Sequence, residues 1–433
     1  MTIQNNKLRL AVFATVIGVL PVCTYATNGY FAHGYGARNK SMAGAGTALV
    51  QDAVAAAAIN PAGLVHVGSR FDGELELFGP FREYQVSGQG IFDGRHFPLE
   101  PGREDSNQNF FVVPAIGWSY ELDKEQSIGL AMYGNGGMNT DWRSVSNAFP
   151  YCGGQKGVFC GGRTGIDMAQ AFIVGTYAHS FANGRFSLGI SPIFAAQTFK
   201  ARGLSTFAGF SSDPDNLSDR NRDYSFGAGF RIGAEAELFY GLRLGASYKS
   251  RIYMTQFDRY QGLFAEQGGF DVPESFNVGL AWEVDDSLST AFDVEHIRYS
   301  EVNSVGTPLN PLFLGEKLGS DNGPGFGWNN MTIYKFGAQW KQSPDWIWRG
   351  GFSYGKQPIE SSEVLFNILA PGVQEWHITG GVTHRLTKED ELSFAVMYSP
   401  EKTVSGPNPL SPDQTIDLSM QQFSLQLGWS RKF

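Results

Sequence analysis

From about Glu74 to the C-terminus, apolar and polar residues take alternate positions over runs of ten or more. In the last run Phe423, Leu425, Leu427, Trp429 and Phe433 share one face, and Ser424, Gln426, Gly428, Ser430 and Lys432 share the other. Tyr224, Phe226, Ala228, Phe230 and Ile232 alternate in the same way with Ser225, Gly227, Gly229, Arg231 and Gly233. A period of two belongs to a strand whose faces meet different surroundings. Soluble sandwiches alternate as well, but globular strands usually run to about five or six residues, and the runs at 166–181 and 184–200 are roughly three times that. Large apolar side chains on one face, with Gly, Ser and charges on the other, suit lipid outside and a wet lumen inside.

The runs number 14, near 73–84, 109–122, 126–138, 166–181, 184–200, 223–239, 241–255, 273–285, 287–299, 330–341, 345–356, 373–386, 390–401 and 418–433. Their connections alternate in length. Short ones fall at Asp123–Glu125, Ala182-Asn183, Tyr240, Asp286 and around Pro344 and Glu389; long ones fall at 85–108, 139–165, 201–222, 256–272, 300–329, 357–372 and 402–417. Short turns on one side and long loops on the other are the asymmetry of an outer-membrane barrel, and an even strand count returns both ends to the periplasmic side. The predicted fold is therefore an all-β membrane protein, a 14-stranded antiparallel transmembrane β-barrel over 73–433. Composition agrees: 54 Gly and 34 Phe accompany only 17% charged residues, and no uninterrupted apolar stretch after the N-terminus is long enough for a transmembrane helix.

Residues 1–26 read as a signal peptide: Lys7 and Arg9 precede an apolar core from Leu10 to Leu20, and Thr24-Tyr25-Ala26 resembles a cleavage site. Removing two basic residues and no acidic one takes the formal charge from −9 to −11, which disfavours nucleic acid as a partner. Cys152 and Cys160 remain, flanking a Gly-rich segment, and an oxidising compartment favours a loop disulfide between them over a zinc site.

Residues 27–72 do not alternate. Gln51–Ala58 is helix-compatible and ends at Asn60-Pro61-Ala62-Gly63. A segment this small cannot bury a core of its own, but lying before the first strand it can fold into the lumen as a helical plug. Asn28, Gly29, Tyr30 and Phe31, with His33, Gly34, Tyr35 and Gly36, then Lys40–Ala48, Asp52-Ala53 and Asn60-Pro61-Ala62-Gly63, resemble the N-terminal hatch of the FadL family of outer-membrane transporters, which includes long-chain fatty-acid transporters and TodX-type aromatic-hydrocarbon channels. The terminal Phe433 resembles the outer-membrane assembly signal, which the barrel-assembly machinery would read.

The resemblance implies passive uptake into a Gram-negative cell. A hydrophobic ligand enters between extracellular loops, the hatch (Asn28, Gly29, Tyr30, Phe31, Asn60, Pro61, Ala62) shifts, and the ligand leaves sideways at a kink in the third strand. Gly134, Gly136 and Gly137 supply the freedom such a kink requires. Leu312, Phe313, Leu314, Leu318 and Phe264 are the expected capture residues, among loops that also carry Leu309, Phe326, Trp328, Leu263 and Phe270. Arg231, Arg243, Lys249, Lys335, Arg349 and Arg385 fall on the lumen face, where pairing with Glu235, Glu283, Asp293 or Glu295 competes with binding a ligand carboxylate. Long-chain fatty acid is the first expected cargo, with aromatic or alkane hydrocarbon as the alternative. The other expected partners are outer-membrane lipid and lipopolysaccharide, with a monomeric state.

A general porin would lack the hatch. An outer-membrane enzyme would need a Ser or Asp/His constellation, and His179-Ser180 point to opposite faces of a strand. An adhesin role for the long loops is the remaining rival. No cofactor or metal motif is present, catalysis is not expected, and His33 reads as a packed polar residue.

Overall fold

The computed structural model describes residues 27–433 apart from Arg95, Ser144 and Tyr240. The signal segment 1–26, with its cleavage site, lies outside the described residues, as does the turn residue Tyr240.

Fourteen long strands close the wall: β1 (Arg70–Ser87), β2 (Phe111–Glu121), β3 (Gln126–Asn139), β4 (Gly165–Phe181), β5 (Phe186–Arg202), β6 (Asp223–Phe239), β7 (Leu242–Lys249), β8 (Ser275–Glu283), β9 (Leu288–Ile297), β10 (Met331–Lys341), β11 (Trp346–Gly355), β12 (Trp376–Arg385), β13 (Asp390–Pro407) and β14 (Thr415–Lys432). Each pairs antiparallel with its neighbours in sequence, and β14 returns to β1 in unbroken register from Arg70↔Lys432 to Ser87↔Thr415. Closure removes the sheet edges from the lipid along the wall except where β2 and β3 part. Two short strands, Gly102–Asp105 and Tyr253–Met254, lie against β1 and β6. The expected run 241–255 divides. Its ladder with β8 stops at Lys249 and Met254 N donates to Asp271 Oδ1, while Ser250 N donates to Phe230 O and Thr255 N to Phe226 O, so the chain leaves the regular ladder but stays against β6.

The two faces of the wall follow the alternation. Leu425, Leu427 and Trp429 are exposed on β14, while Ser424, Gln426 and Ser430 are buried. Outward-facing Tyr224, Phe276, Tyr334 and Trp376 lie at the long-loop ends, and Tyr120, Trp282, Trp340 and Trp346 at the short-turn ends. These are the aromatic girdles that sit at the two membrane interfaces. Among the described residues no helix is long and apolar enough to cross a membrane.

The lumen face is polar, and the N-terminal segment packs against it. Two short helices, α1 (Ala37–Lys40) and α2 (Ala53–Ala58), and a 3-10 turn (Pro61–His66) pack inside the barrel with nearly every residue buried. The Asp52 side chain caps α2 by accepting from Ala55 N at 2.7 Å, and a run of Ala then lets the helix approach the wall closely. Pro61 follows Asn60 at the first position of the 3-10 turn, where its missing N–H costs nothing.

Candidate translocation path

Wall carboxylates hold the hatch by its free backbone N–H groups. Asp72 on β1 accepts from Ala53 N at 2.9 Å and Glu74 from Ala37 N at 3.0 Å, at the starts of α2 and α1. Asp293 on β9 accepts from Gly46 N (2.7 Å), Thr47 N (2.9 Å) and Thr47 Oγ1 (2.8 Å). Asn60 Nδ2 donates to Thr47 O at 2.7 Å while its Oδ1 accepts from Ala62 N at 3.1 Å. Asn60-Pro61-Ala62 then nests against two glycines of the wall. A Cβ on Gly189 of β5 would fall 2.3 Å from the Pro61 carbonyl carbon, and one on Gly233 of β6 would fall 1.9 Å from the Asn60 side-chain oxygen.

The hatch N-terminus lies against an interruption in the wall. β2 pairs with β3 only from Glu121↔Ser127 to Ala115↔Tyr133, while Phe111–Pro114 pair with β1 alone. Beyond Tyr133, β3 pairs with β4 alone, and its register slips at Asn135, between Gly134 and Gly136. β2 and β3 therefore part above Ala115 and Tyr133, and Arg82 bounds the parting from above by donating to Asn139 O and Gln108 O. Hatch residues fill the inner side. Ala32 N donates to Asn135 O at 3.0 Å, Gly137 N donates to Tyr30 O at 2.9 Å, and Phe31 bridges to Gly136. Gly136 is required there, since a Cβ would sit 1.8 Å from Tyr30 O. A small cavity behind the parting is lined by Val113, Tyr133 and Gly134 of the wall and by Ala32, Tyr35 and Val54 of the hatch.

On the extracellular side, four loops enclose a second cavity with about 490 Å³ of non-atom space, part of it open to solvent. Phe199, Phe207, Leu263, Phe264, Leu318 and Phe366 line it, and it carries no charged side chain. Aromatic rings continue inward from it. Phe264 lies 4.9 Å from Phe270, Phe270 lies 6.0 Å from Tyr30, and Tyr30 lies 5.2 Å from Phe31. Amides follow the same course: Asn135 Nδ2 donates to Gln170, Gln170 Nε2 to Gln197, and Gln197 Nε2 to Phe270 O.

Lys249 stands at the inner end of this course. Its ammonium lies 4.0 Å from the centre of the Phe31 ring and 5.8 Å from that of Phe172. The residue is 1% exposed and makes no ion pair among the described residues. The other lumen cations are engaged. Arg243 meets Glu235 at 3.3 Å, Lys335 meets Glu295 at 2.8 Å, and Arg385 meets Glu391 at 3.4 Å. Arg231 donates to Ile59 O, and Arg349 to Gln51 and Thr383.

Of the expected capture residues, Phe264 and Leu318 line the loop cavity, Leu312 is buried outside it, and Phe313 and Leu314 face solvent. Asn28 pairs with Phe31 in a tight turn, and Gly29 packs beneath the Tyr299 ring, whose hydroxyl donates to Asn28 O. Cys152 and Cys160 are bonded, with S–S 1.99 Å. His33 is buried in the hatch and stacks on His377 at 5.4 Å. Burial, then Lys40, His377 and Lys335, hold its imidazole well below the usual range, so it is neutral at ordinary pH. Among the described residues no cluster of side chains could hold a metal ion. Sequence reading did not single out Phe199, Phe207 and Phe366 of the cavity, or the hatch anchors Asp72 and Glu74.

A closed barrel with two aromatic girdles, long loops on one side and a lumen plug is an outer-membrane channel protein of a Gram-negative bacterium. The chain belongs to the family described as outer membrane protein transport protein (OMPP1/FadL/TodX), whose model matches residues 20–422, and whose members are outer-membrane transport channels for hydrophobic compounds. Solved structures agree in fold. A FadL homologue of Pseudomonas aeruginosa superposes with a TM-score of 0.66 at 15% identity, covering 93% of this chain and 99% of its own. The toluene transporter TodX of P. putida gives 0.64 at 15% identity and the toluene transporter TbuX of Ralstonia pickettii 0.61 at 16%, each with the same coverages. No curated protein matches the chain by sequence.

Proposed function

We propose that this chain carries long-chain fatty acids across the outer membrane and releases them sideways between β2 and β3. The observation that carries the reading is the parting of those strands, occupied on its inner side by Tyr30, Phe31 and Ala32. An apolar ligand enters the loop cavity, where burial contributes roughly 25 cal/mol for each Å² of apolar surface removed from water. It moves along Phe264, Phe270 and Tyr30 while the hatch N-terminus withdraws from the Asn135 bulge. The exit opens on lipid, so the ligand never crosses the polar lumen. Lys249, buried and without a carboxylate partner, favours an anionic head group over a neutral cargo. The uncharged lining of the loop cavity supports a second reading, an aromatic or alkane hydrocarbon as cargo.

The test is growth on oleate of a Gram-negative host lacking its own fatty-acid transporter. Deleting Asn135, the extra residue at the register slip, restores regular pairing of β3 with β4. The wild-type chain should support growth and the deletion should abolish it, with the barrel still inserted. Growth of the deletion strain at the wild-type rate would remove the lateral exit. No growth with either chain, but uptake of toluene by the wild type, would transfer the assignment to hydrocarbons.

A further inference from the structure

We infer that the outward, extracellular rim of β4–β6 binds the phosphorylated glycolipid of the outer leaflet, with Lys200, Arg202 and Arg222 holding its phosphate groups. This goes beyond the cargo reading and is independent of it, since these side chains face away from the lumen. On β5 the even-numbered residues point outward: Phe186, Leu188, Ile190, Pro192 and Phe194 are exposed, and Ala196, Thr198, Lys200 and Arg202 continue the row. Asp167 on β4 pairs with Lys200, and Tyr224 on β6 pairs with Thr198. Arg222, just before β6, reaches across β5 on this outer face to Thr198 Oγ1 at 2.8 Å and to the Asp167 carboxylate.

The side chains of Lys200 and Arg202 make no hydrogen bond or ion pair among the described residues, although the chain as a whole carries nine more acidic than basic residues. Lys200 lies within electrostatic reach of Arg202, Arg222 and Arg163, and of the Asp167 carboxylate that Arg222 already holds. The acids around them are already committed. Asp141 takes Arg163 and Arg143, Asp167 takes Arg222, Asp219 accepts from Gly203 N, and Asp223 accepts from Arg259 N. Two cations without a partner, Lys200 and Arg202, beside Arg222 on a membrane-facing rim call for an anion from outside the chain.

Height and the surface below identify it. At about 3.3 Å per residue and a tilt of about 40°, Lys200 stands roughly 35 Å above Phe186, some 10 Å beyond an apolar band of about 25 Å. That is the level of head-group phosphates. Beneath the cations the small, part-exposed outward residues Ala171 and Ala196 lie beside Phe194 and Phe226, whose rings stack at 6.2 Å, an apolar surface along which acyl chains can lie. Phosphate above and several chains below describe lipopolysaccharide.

Native mass spectrometry of the full barrel in neutral detergent tests this, with rough-type lipopolysaccharide, the same material dephosphorylated, and phosphatidylglycerol as probes. Each cation facing an anionic surface contributes roughly fivefold, so Lys200→Ala/Arg202→Ala/Arg222→Ala should weaken lipopolysaccharide binding roughly 100-fold. Dephosphorylation should weaken the wild type to the same degree, and Lys388→Ala on the periplasmic side should change nothing. If the triple variant does not fold, Lys200→Gln/Arg202→Gln breaks no bond in the structure and should still cost roughly 30-fold. Equal lipopolysaccharide affinity in wild type and variant overturns the assignment, and so does phosphatidylglycerol binding as tightly as lipopolysaccharide.

Discussion

Lys249→Met separates the charge of that side chain from its bulk. The ammonium lies 4.0 Å from the Phe31 ring centre with no carboxylate beside it. An arriving carboxylate would gain a charge-assisted bond of about 1.5–3 kcal/mol, which corresponds to roughly 10- to 150-fold in affinity. Methionine keeps a comparable unbranched stem, so apolar contacts with the ligand change little. Oleate and methyl oleate form the matched pair, because esterification removes the charge and leaves the chain. Quenching of Trp328, buried 5.8 Å from Tyr30, provides the readout on purified protein. Oleate should bind the wild type roughly 10- to 150-fold more tightly than Lys249→Met, while methyl oleate should bind both alike. Loss of affinity for both ligands in equal measure would show that Lys249 acts through packing on Phe31, and no loss for either would refute the anchor outright.

Asp293→Ala leaves three buried donors of Gly46 and Thr47 without a partner, and at about 1–3 kcal/mol each the hatch should loosen there. Hydrogen exchange at Gly46 and Thr47 should quicken at least 100-fold (about 2.7 kcal/mol) with barrel thermal stability little changed, and unchanged protection would contradict the clamp. Gly136→Val should drive Tyr30 off β3, since its Cβ would fall 1.8 Å from Tyr30 O; faster exchange at the Gly137 amide would reveal it. Replacing Cys152 and Cys160 by Ser frees a loop with sequence separation 8, worth about 2.5 kcal/mol of closure entropy, and limited proteolysis should then cut within 139–165 while the barrel stays intact.

The wall was legible in the sequence because its determinants are local. Alternation along β14 and β5 requires only neighbouring residues, and the contrast of short turns with long loops orients every strand. What escaped is what pairs distant positions. Asp293 holds Gly46 across 247 residues, and nothing in the local sequence of β9 distinguishes it from a solvated lumen acid. Parity placed six cations on the lumen face, but only the packed structure separates Lys249 from the five that find partners. Gly134, Gly136 and Gly137 marked a place where β3 could bend; where its pairing with β2 ends depends on a different strand. Loop composition promised apolar surface, yet Leu314 is 78% exposed while Leu318, four residues later, is 3% exposed, a difference set by how the loops fold over one another.

The clamped plug also bears on the cell's electrical barrier. An open barrel of fourteen strands would pass ions and small polar drugs, and each copy would weaken the envelope that carries it. Here Asp72, Glu74 and Asp293 accept from hatch amides, and Arg38 joins Glu391 at 2.6 Å across the hatch–wall interface, so the plug is bonded to the wall around the path that water and ions would take. The proposed exit between β2 and β3, facing lipid, would add no aqueous column. In a planar bilayer the protein should therefore be nearly silent to current while still admitting its cargo, so a cell can raise its copy number without raising its leak.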